Sequence, residues 1–235
     1  MKSLSKKIFI TGATHGIGKA TAELFCQKGW SVYGISSNPK DTRGYEMMNK
    51  MPNFIHKTID ITDEQKILQF LQENGPFDAS FNNAGIGIAP QNIENANIDD
   101  IKRVIDVNLI GTIICLKHEI NNMQKGVIIN NSSISAFKAR TGADMSYSAS
   151  KAGILRLTAE LASNPKYQNK ISFFSIIPGY IKTRMTATDN IPPHIEGTPQ
   201  DVANLVYNIV TNHYAYISGQ SFNCYKGEFL RWVSI

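Results

Sequence analysis

No apolar run in the sequence approaches the roughly 18 consecutive residues that a membrane-spanning helix needs. Cysteine is scarce as well: Cys26, Cys115 and Cys224 are odd in number and far apart. Such spacing excludes a disulfide framework and a cysteine metal cluster, so buried structural thiols are expected and no metal is called for. Charged residues make up only 18% of the chain, and the net charge of +5 is scattered rather than gathered into a stripe. That pattern argues against a nucleic-acid partner and suits a phosphate-bearing ligand, or simply solvated lysines. Low-complexity tracts, internal repeats and long linkers are missing too. The basic N-terminus, Met1–Lys7, is followed by too few apolar residues before Thr11-Gly12 to read as a signal peptide. We therefore expect a single domain over residues 1–235, cytoplasmic, with no membrane partner.

What is present is an alternation. Lys7–Ile10, Trp30–Ile35, Phe54–Ile59, Ala79–Asn82, Val127–Asn131, Ile171–Ile177 and Ser221–Cys224 are short, largely continuous apolar runs. Runs of this kind read as strands buried on both faces. Between them Ile17–Lys28, Asp63–Glu73, Asp99–Asn121, Ser146–Ser163 and Pro199–Thr211 carry helical apolar spacing. Strand–helix alternation predicts an α/β fold: a doubly wound, Rossmann-type parallel sheet of about seven strands with helices on both faces. The irregular stretch Thr183–Thr198 is long for a connection and is expected to lie near a ligand.

The first strand leads into Thr11-Gly12-Ala13-Thr14-His15-Gly16-Ile17-Gly18 and then a helix. Glycines there permit a tight turn, close approach of a pyrophosphate to the backbone, and tight helix packing. The helix N-terminus adds unpaired N–H groups and a partial positive charge. The spacing is Gly-x-x-x-Gly-x-Gly, and with its surroundings it resembles the short-chain dehydrogenase/reductase family of classical type.

That resemblance implies a nicotinamide cofactor held by Gly12, Thr14, His15, Gly16, Ile17 and Gly18. At the end of the second strand stand Ser36, Ser37 and Asn38, where NAD-specific members carry Asp. No carboxylate there would repel a 2′-phosphate, and His15 and Lys40 bring positive charge, so NADP(H) is favoured over NAD(H). The Arg that many NADP-specific members place at the position of Ser37 is missing, which keeps NAD or dual specificity open. Asp60 and Ile61 match the family's adenine contact, although Asp60 or Thr62 also reads as a helix N-cap. Asn82-Asn83-Ala84-Gly85 matches the family's Asn-Asn-Ala-Gly segment, with Asn83, Ala84 and Gly85 against the cofactor. Ile177-Pro178-Gly179-Tyr180-Ile181-Lys182-Thr183 matches its Pro-Gly-x-x-x-Thr segment, so that Pro178, Gly179, Ile181 and Thr183 would border the nicotinamide.

Tyr147 and Lys151 lie four apart and so share one helical face. A phenol of unperturbed pKa about 10 is a poor acid/base near neutrality until a nearby ammonium stabilises the phenolate. By resemblance Tyr147 is the general acid/base and Lys151 tunes it and binds the nicotinamide ribose. A serine at the end of the fifth strand would orient the substrate oxygen. The family's serine commonly lies thirteen residues before the tyrosine, whereas Ser133 lies fourteen before Tyr147, which leaves Ser135 as the alternative. Asn108, polar among apolar neighbours in Asp106–Gly111, would complete a catalytic set through a proton-relay water.

The implied function is hydride transfer between NADP(H) and a small carbonyl or alcohol substrate. The alternatives are NAD-dependent alcohol oxidation on the same fold and a non-catalytic nucleotide sensor. A homodimer or homotetramer, joined through Asp99–Asn121 and Ser146–Ser163, is implied as well. Lys138 and Arg140 are placed to meet an acidic substrate, or to be solvated loop charges.

Overall fold

The structure is a computed structural model, and it describes residues 5–38, 41–89, 92–138, 144–187, 196–225 and 228–232, with side chains described up to residue 224. The chain begins with β1 (Lys7–Thr11), α1 (Gly16–Gln27), β2 (Ser31–Ser36), α2 (Arg43–Lys50), β3 (Phe54–Thr58), α3 (Glu64–Asn74) and β4 (Ala79–Asn82). It continues through α4 (Ile98–Ile105), a π-helical turn over Asp106–Ile110, α5 (Gly111–Asn122), β5 (Gly126–Asn131) and α6 (Met145–Ser163). It closes with β6 (Ile171–Pro178), α7 (Pro199–Asn212), β7 (Ser221–Tyr225) and β8 (Glu228–Trp232).

One sheet carries all the strands in the order β3-β2-β1-β4-β5-β6-β7-β8. The first seven run parallel, and β8 pairs antiparallel with β7. The doubly wound parallel sheet is as expected; the extra edge strand is not. Its residues, Glu-Phe-Leu-Arg-Trp, lack the continuous apolar run that marks a buried strand.

Successive side chains on a strand point to opposite faces. On β1, Ile8 and Ile10 join Phe25 of α1 and Val206 of α7 in one core, while Phe9 joins Phe70 of α3 and Leu116 of α5 in the other. All three cysteines are buried among the helices and strands, as their spacing suggested.

The stretch that reads as one helix over Asp99–Asn121 is helical throughout Ile98–Asn122, with a π turn over Asp106–Ile110 that contains the buried Asn108. Helix α2 was not foreseen: it is eight residues long and contains Gly44, where a Cβ would stand 2.2 Å from the His56 ring. A glycine inside so short a segment hides the helical signal.

The strand order reverses direction between β1 and β4, which start neighbouring crossovers to opposite faces of the sheet. A crevice at the carboxyl ends of the strands follows from that topology.

Candidate active site

A cleft of about 360 Å³ lies at this reversal. The glycine-rich turn forms one wall. Gly12 and Gly16 have φ of +67° and +47°, a backbone region in which side chains are strained. Gly18 is needed for a different reason, since a Cβ there would come within 2.1 Å of the Gly12 carbonyl oxygen. It packs the helix onto the turn and does not line the cleft. Asn83 locks the turn to the neighbouring strand. Its backbone N–H donates to the Thr11 hydroxyl at 2.9 Å, and its side-chain amide donates to the Thr11 carbonyl at 3.1 Å. Asn131 of β5 in turn donates to the Asn83 side chain at 3.0 Å.

Thr14, His15, Gly16, Ile17, Ser36, Ser37, Asn38, Asp60, Ile61, Asn83, Ala84, Gly85, Tyr147, Lys151 and Thr183 line the same cleft as Gly12. Segments about 170 residues apart in the chain thus converge on one place. Other expectations are revised. Asp60 accepts from the Thr62 N–H and hydroxyl, but the cap of α3 is Asp63, which accepts from the Lys66 N–H. Pro178, Gly179 and Ile181 do not line the cleft. Gly179 donates to the Cys224 carbonyl, and Ile181 bridges Gly197, so both act as the frame that carries Thr183. Lys40, Arg140 and most of the connection after Ala187 lie outside the described residues, and Lys138 is exposed.

Tyr147 and Lys151 sit in the first turns of α6, whose N-cap is Asp144. The Asp144 carboxylate accepts from the Tyr147 N–H at 3.0 Å and from the Ile88 N–H at 3.0 Å. One residue therefore fixes the start of the helix and the segment that follows β4. The Lys151 ammonium is buried, lies 5.5 Å from the centre of the Tyr147 ring, and donates to the Asn131 carbonyl at 2.7 Å. Burial pulls its pKa down to about 8.

Ser133 is buried and caps a short 3₁₀ turn, its oxygen accepting from the Ser135 N–H at 3.1 Å. Among the described residues its own proton has no acceptor, whereas Ser135 takes part through its backbone. Neither serine lines the cleft. Asn108 is fully buried: it accepts from the Ile86 N–H, and its amide donates to the Ile86 carbonyl and the Ser150 hydroxyl. It holds the segment after β4 against α6. A Cβ on Gly85 would stand 3.2 Å from Asn108 Oδ1 and 3.5 Å from Lys151 Nζ, so the backbone passes close to both.

The structure adds residues that the sequence did not reveal. Asp41, Arg103, Arg184 and Met185 also line the cleft. Asp41 places a buried carboxylate in the cleft with Ser36, Ser37 and Asn38, where the strand-end sequence suggests none. Arg184 belongs to no motif in the sequence, and only the 3₁₀ turn over Arg184–Thr186 brings it to the cleft.

A sequence model of the family described as short chain dehydrogenase matches residues 6–192. The chain belongs to that family. It is 32% identical to a 3-oxoacyl-[acyl-carrier-protein] reductase of Rickettsia typhi, over 94% of this chain and 96% of that one. The fold superposes on ElxO with NADP bound, at a TM-score of 0.84 and 25% identity, covering 95% of this chain and 98% of that one. A 3-oxoacyl-[acyl-carrier protein] reductase of Brucella melitensis with bound NAD has the same fold: the TM-score is 0.84, identity is 23%, and coverage is 96% and 91%. The short-chain dehydrogenase is accordingly an oxidoreductase acting on CH–OH or C=O groups with a nicotinamide cofactor. Among the described residues no helix is long and apolar enough to cross a membrane.

The residues present fit such a cofactor. The glycine turn is a cradle that side chains would fill, and it opens at the N-terminus of α1, where backbone N–H groups favour phosphate. Two buried polar atoms of cleft residues, His15 Nε2 and Asn131 Oδ1, have no partner among the described residues.

Proposed function

We propose that this dehydrogenase moves hydride between NADP(H), in preference to NAD(H), and a small carbonyl or alcohol, with Tyr147 as general acid/base. The observation that carries this reading is the Tyr147–Lys151 pair opening onto the same cleft as the glycine turn. Gly12, Thr14, Gly16 and Ile17 would hold the pyrophosphate, and Asp60 and Ile61 the adenine. Ser36, Ser37, Asn38 and His15 would face the adenosine ribose and its 2′-phosphate. Asn83, Ala84 and Gly85 would border the nicotinamide ribose, and Thr183, framed by Pro178, Gly179 and Ile181, the carboxamide.

The bound nicotinamide supplies or accepts the hydride. In the reductive direction Tyr147 gives its phenolic proton to the carbonyl oxygen as negative charge develops there. The Lys151 ammonium favours the phenolate left behind. It spends one N–H on Asn131, which leaves two for a ribose hydroxyl and for a relay supported by Asn108. Ser133 steadies the same substrate oxygen. Nothing in this scheme asks for a metal. A single domain spanning residues 1–235 would carry both binding and chemistry.

A second reading, use of NAD(H), is favoured by the Asp41 carboxylate in the cleft. The two are separated by titrating the purified protein with NADPH and with NADH, followed by fluorescence. Tighter NADPH binding is expected; tighter NADH binding would overturn the preference and leave the catalytic assignment standing. We further place the enzyme in the cytoplasm as a homodimer or homotetramer. Exposed Ile110, Ile113 and Met145 on the α5 and α6 side supply apolar surface for the contact.

A further inference from the structure

One buried carboxylate in the cleft has no part in the proton transfer. Asp41 is 5% exposed. One of its oxygens accepts from the Thr14 hydroxyl at 3.1 Å and lies 3.3 Å from His15 Nδ1. The other accepts from the Arg43 guanidinium at 2.8 Å and from the Arg43 backbone N–H at 3.2 Å. These donors come from the glycine-rich turn and from the first residue of α2. The carboxylate therefore ties the turn to the loop that leaves β2, beside Ser36, Ser37 and Asn38.

A guanidinium, an imidazole, a hydroxyl and a backbone N–H make a donor set suited to a phosphate. Here they already surround an anion. Burial by itself would raise the Asp41 carboxyl, but the Arg43 N–H, the Thr14 hydroxyl, the His15 charge and the hydrogen bond from the Arg43 guanidinium hold it below the usual carboxylate range. It is ionised at neutral pH. The His15 imidazole is held below its usual value, first by burial and then by Arg43 and Arg184, with Asp41 opposing. At neutral pH the cluster is thus close to electrically balanced, Asp41 against Arg43.

We propose that Asp41 is a specificity-determining residue whose carboxylate stands in for the 2′-phosphate, occupying Arg43, His15 and Thr14 and so narrowing the advantage of NADP(H) over NAD(H). The inference rests on the reading of this cleft as the dinucleotide site. A 2′-phosphate entering beside the carboxylate meets a like charge and donors already engaged. NAD(H), with a hydroxyl there, meets neither obstacle. Asp41→Asn keeps the shape of the side chain and removes the charge, releasing Arg43 toward the cleft.

The test is the ratio of NADH to NADPH dissociation constants in wild type, Asp41→Asn and Arg43→Leu, each checked for a cooperative melt. For Asp41→Asn the ratio should rise about tenfold or more, the scale of one unit charge acting on a phosphate near a protein surface. For Arg43→Leu it should fall by a similar factor. An unchanged or lower ratio in Asp41→Asn overturns the proposal. Should that variant not fold, an unchanged ratio in Arg43→Leu overturns it instead. Wild-type protein that binds neither dinucleotide would defeat the underlying reading as well, and that result is visible before any variant is compared.

Discussion

Tyr147→Phe is expected to lower kcat by about 10²–10⁴-fold, the usual contribution of a positioned general acid/base. The substitution removes one oxygen and keeps the ring that Lys151 faces at 5.5 Å. The backbone of Tyr147 stays capped by Asp144, and Lys151 keeps its bond to the Asn131 carbonyl. Helix α6 and the glycine turn are therefore undisturbed, and the dissociation constant for NADPH should move little. The measurement is steady-state turnover together with cofactor titration of the same preparation. A large loss of kcat with intact binding identifies a proton-transfer role. Turnover within a few-fold of wild type would remove Tyr147 from the chemistry, and equal loss of binding and turnover would make its role structural.

Glu119→Gln is expected to change how stability depends on pH. Glu119 lies on α5 with 1% exposure, and one oxygen accepts from the Asn82 amide at 2.9 Å. Burial raises its pKa from 4.5 to about 7, and the Asn82 amide and the Ser80 hydroxyl, which favour the carboxylate, offset only part of that. Since the folded value lies above the unfolded one, the unfolded state loses its proton first as pH rises. Folding stability then falls between about pH 4.5 and 7 and levels off above, for a total of about 3 kcal/mol. Glutamine keeps the shape without the proton. Its stability relative to wild type should grow across that window and stay flat outside it, as read by urea unfolding at several pH values. A difference that does not vary with pH would show that Glu119 is ionised, or neutral, throughout.

The parts of this fold that were legible in the sequence are those fixed by local chemistry. Seven continuous apolar runs became the seven parallel strands, because burial on both faces leaves no room for polar alternation. The turn from Gly12 to Gly18 was readable because its conformation and close packing demand glycine at particular positions. Tyr147 and Lys151 were readable because four residues of helix put them on one face.

What stayed hidden depends on contacts between distant segments. Asp41 looks like an ordinary loop acid until Thr14 and His15, on the glycine-rich turn, are seen beside it. Arg184 gives no signal until the 3₁₀ turn closes over Gly16, where an added Cβ would meet Thr183 at 3.3 Å. The π turn at Asp106–Ile110 leaves the apolar spacing on either side intact, so the periodicity reads as one helix. Asn108 shows the limit from the other side: its polarity is visible in the sequence, yet its partners Ile86 and Ser150 follow only from the packing of α6.

The most direct measurement of hydride transfer is carbonyl-dependent oxidation of reduced cofactor by the wild-type enzyme, followed by loss of NADPH absorbance over a panel of small ketones and aldehydes. Metal-independent turnover is expected with at least one carbonyl, faster with NADPH than with NADH at equal subsaturating concentrations. Binding of NADPH with no oxidation by any carbonyl, and no reduction of NADP⁺ by the matching alcohols, would contradict the assigned chemistry and favour a nucleotide-binding role without it.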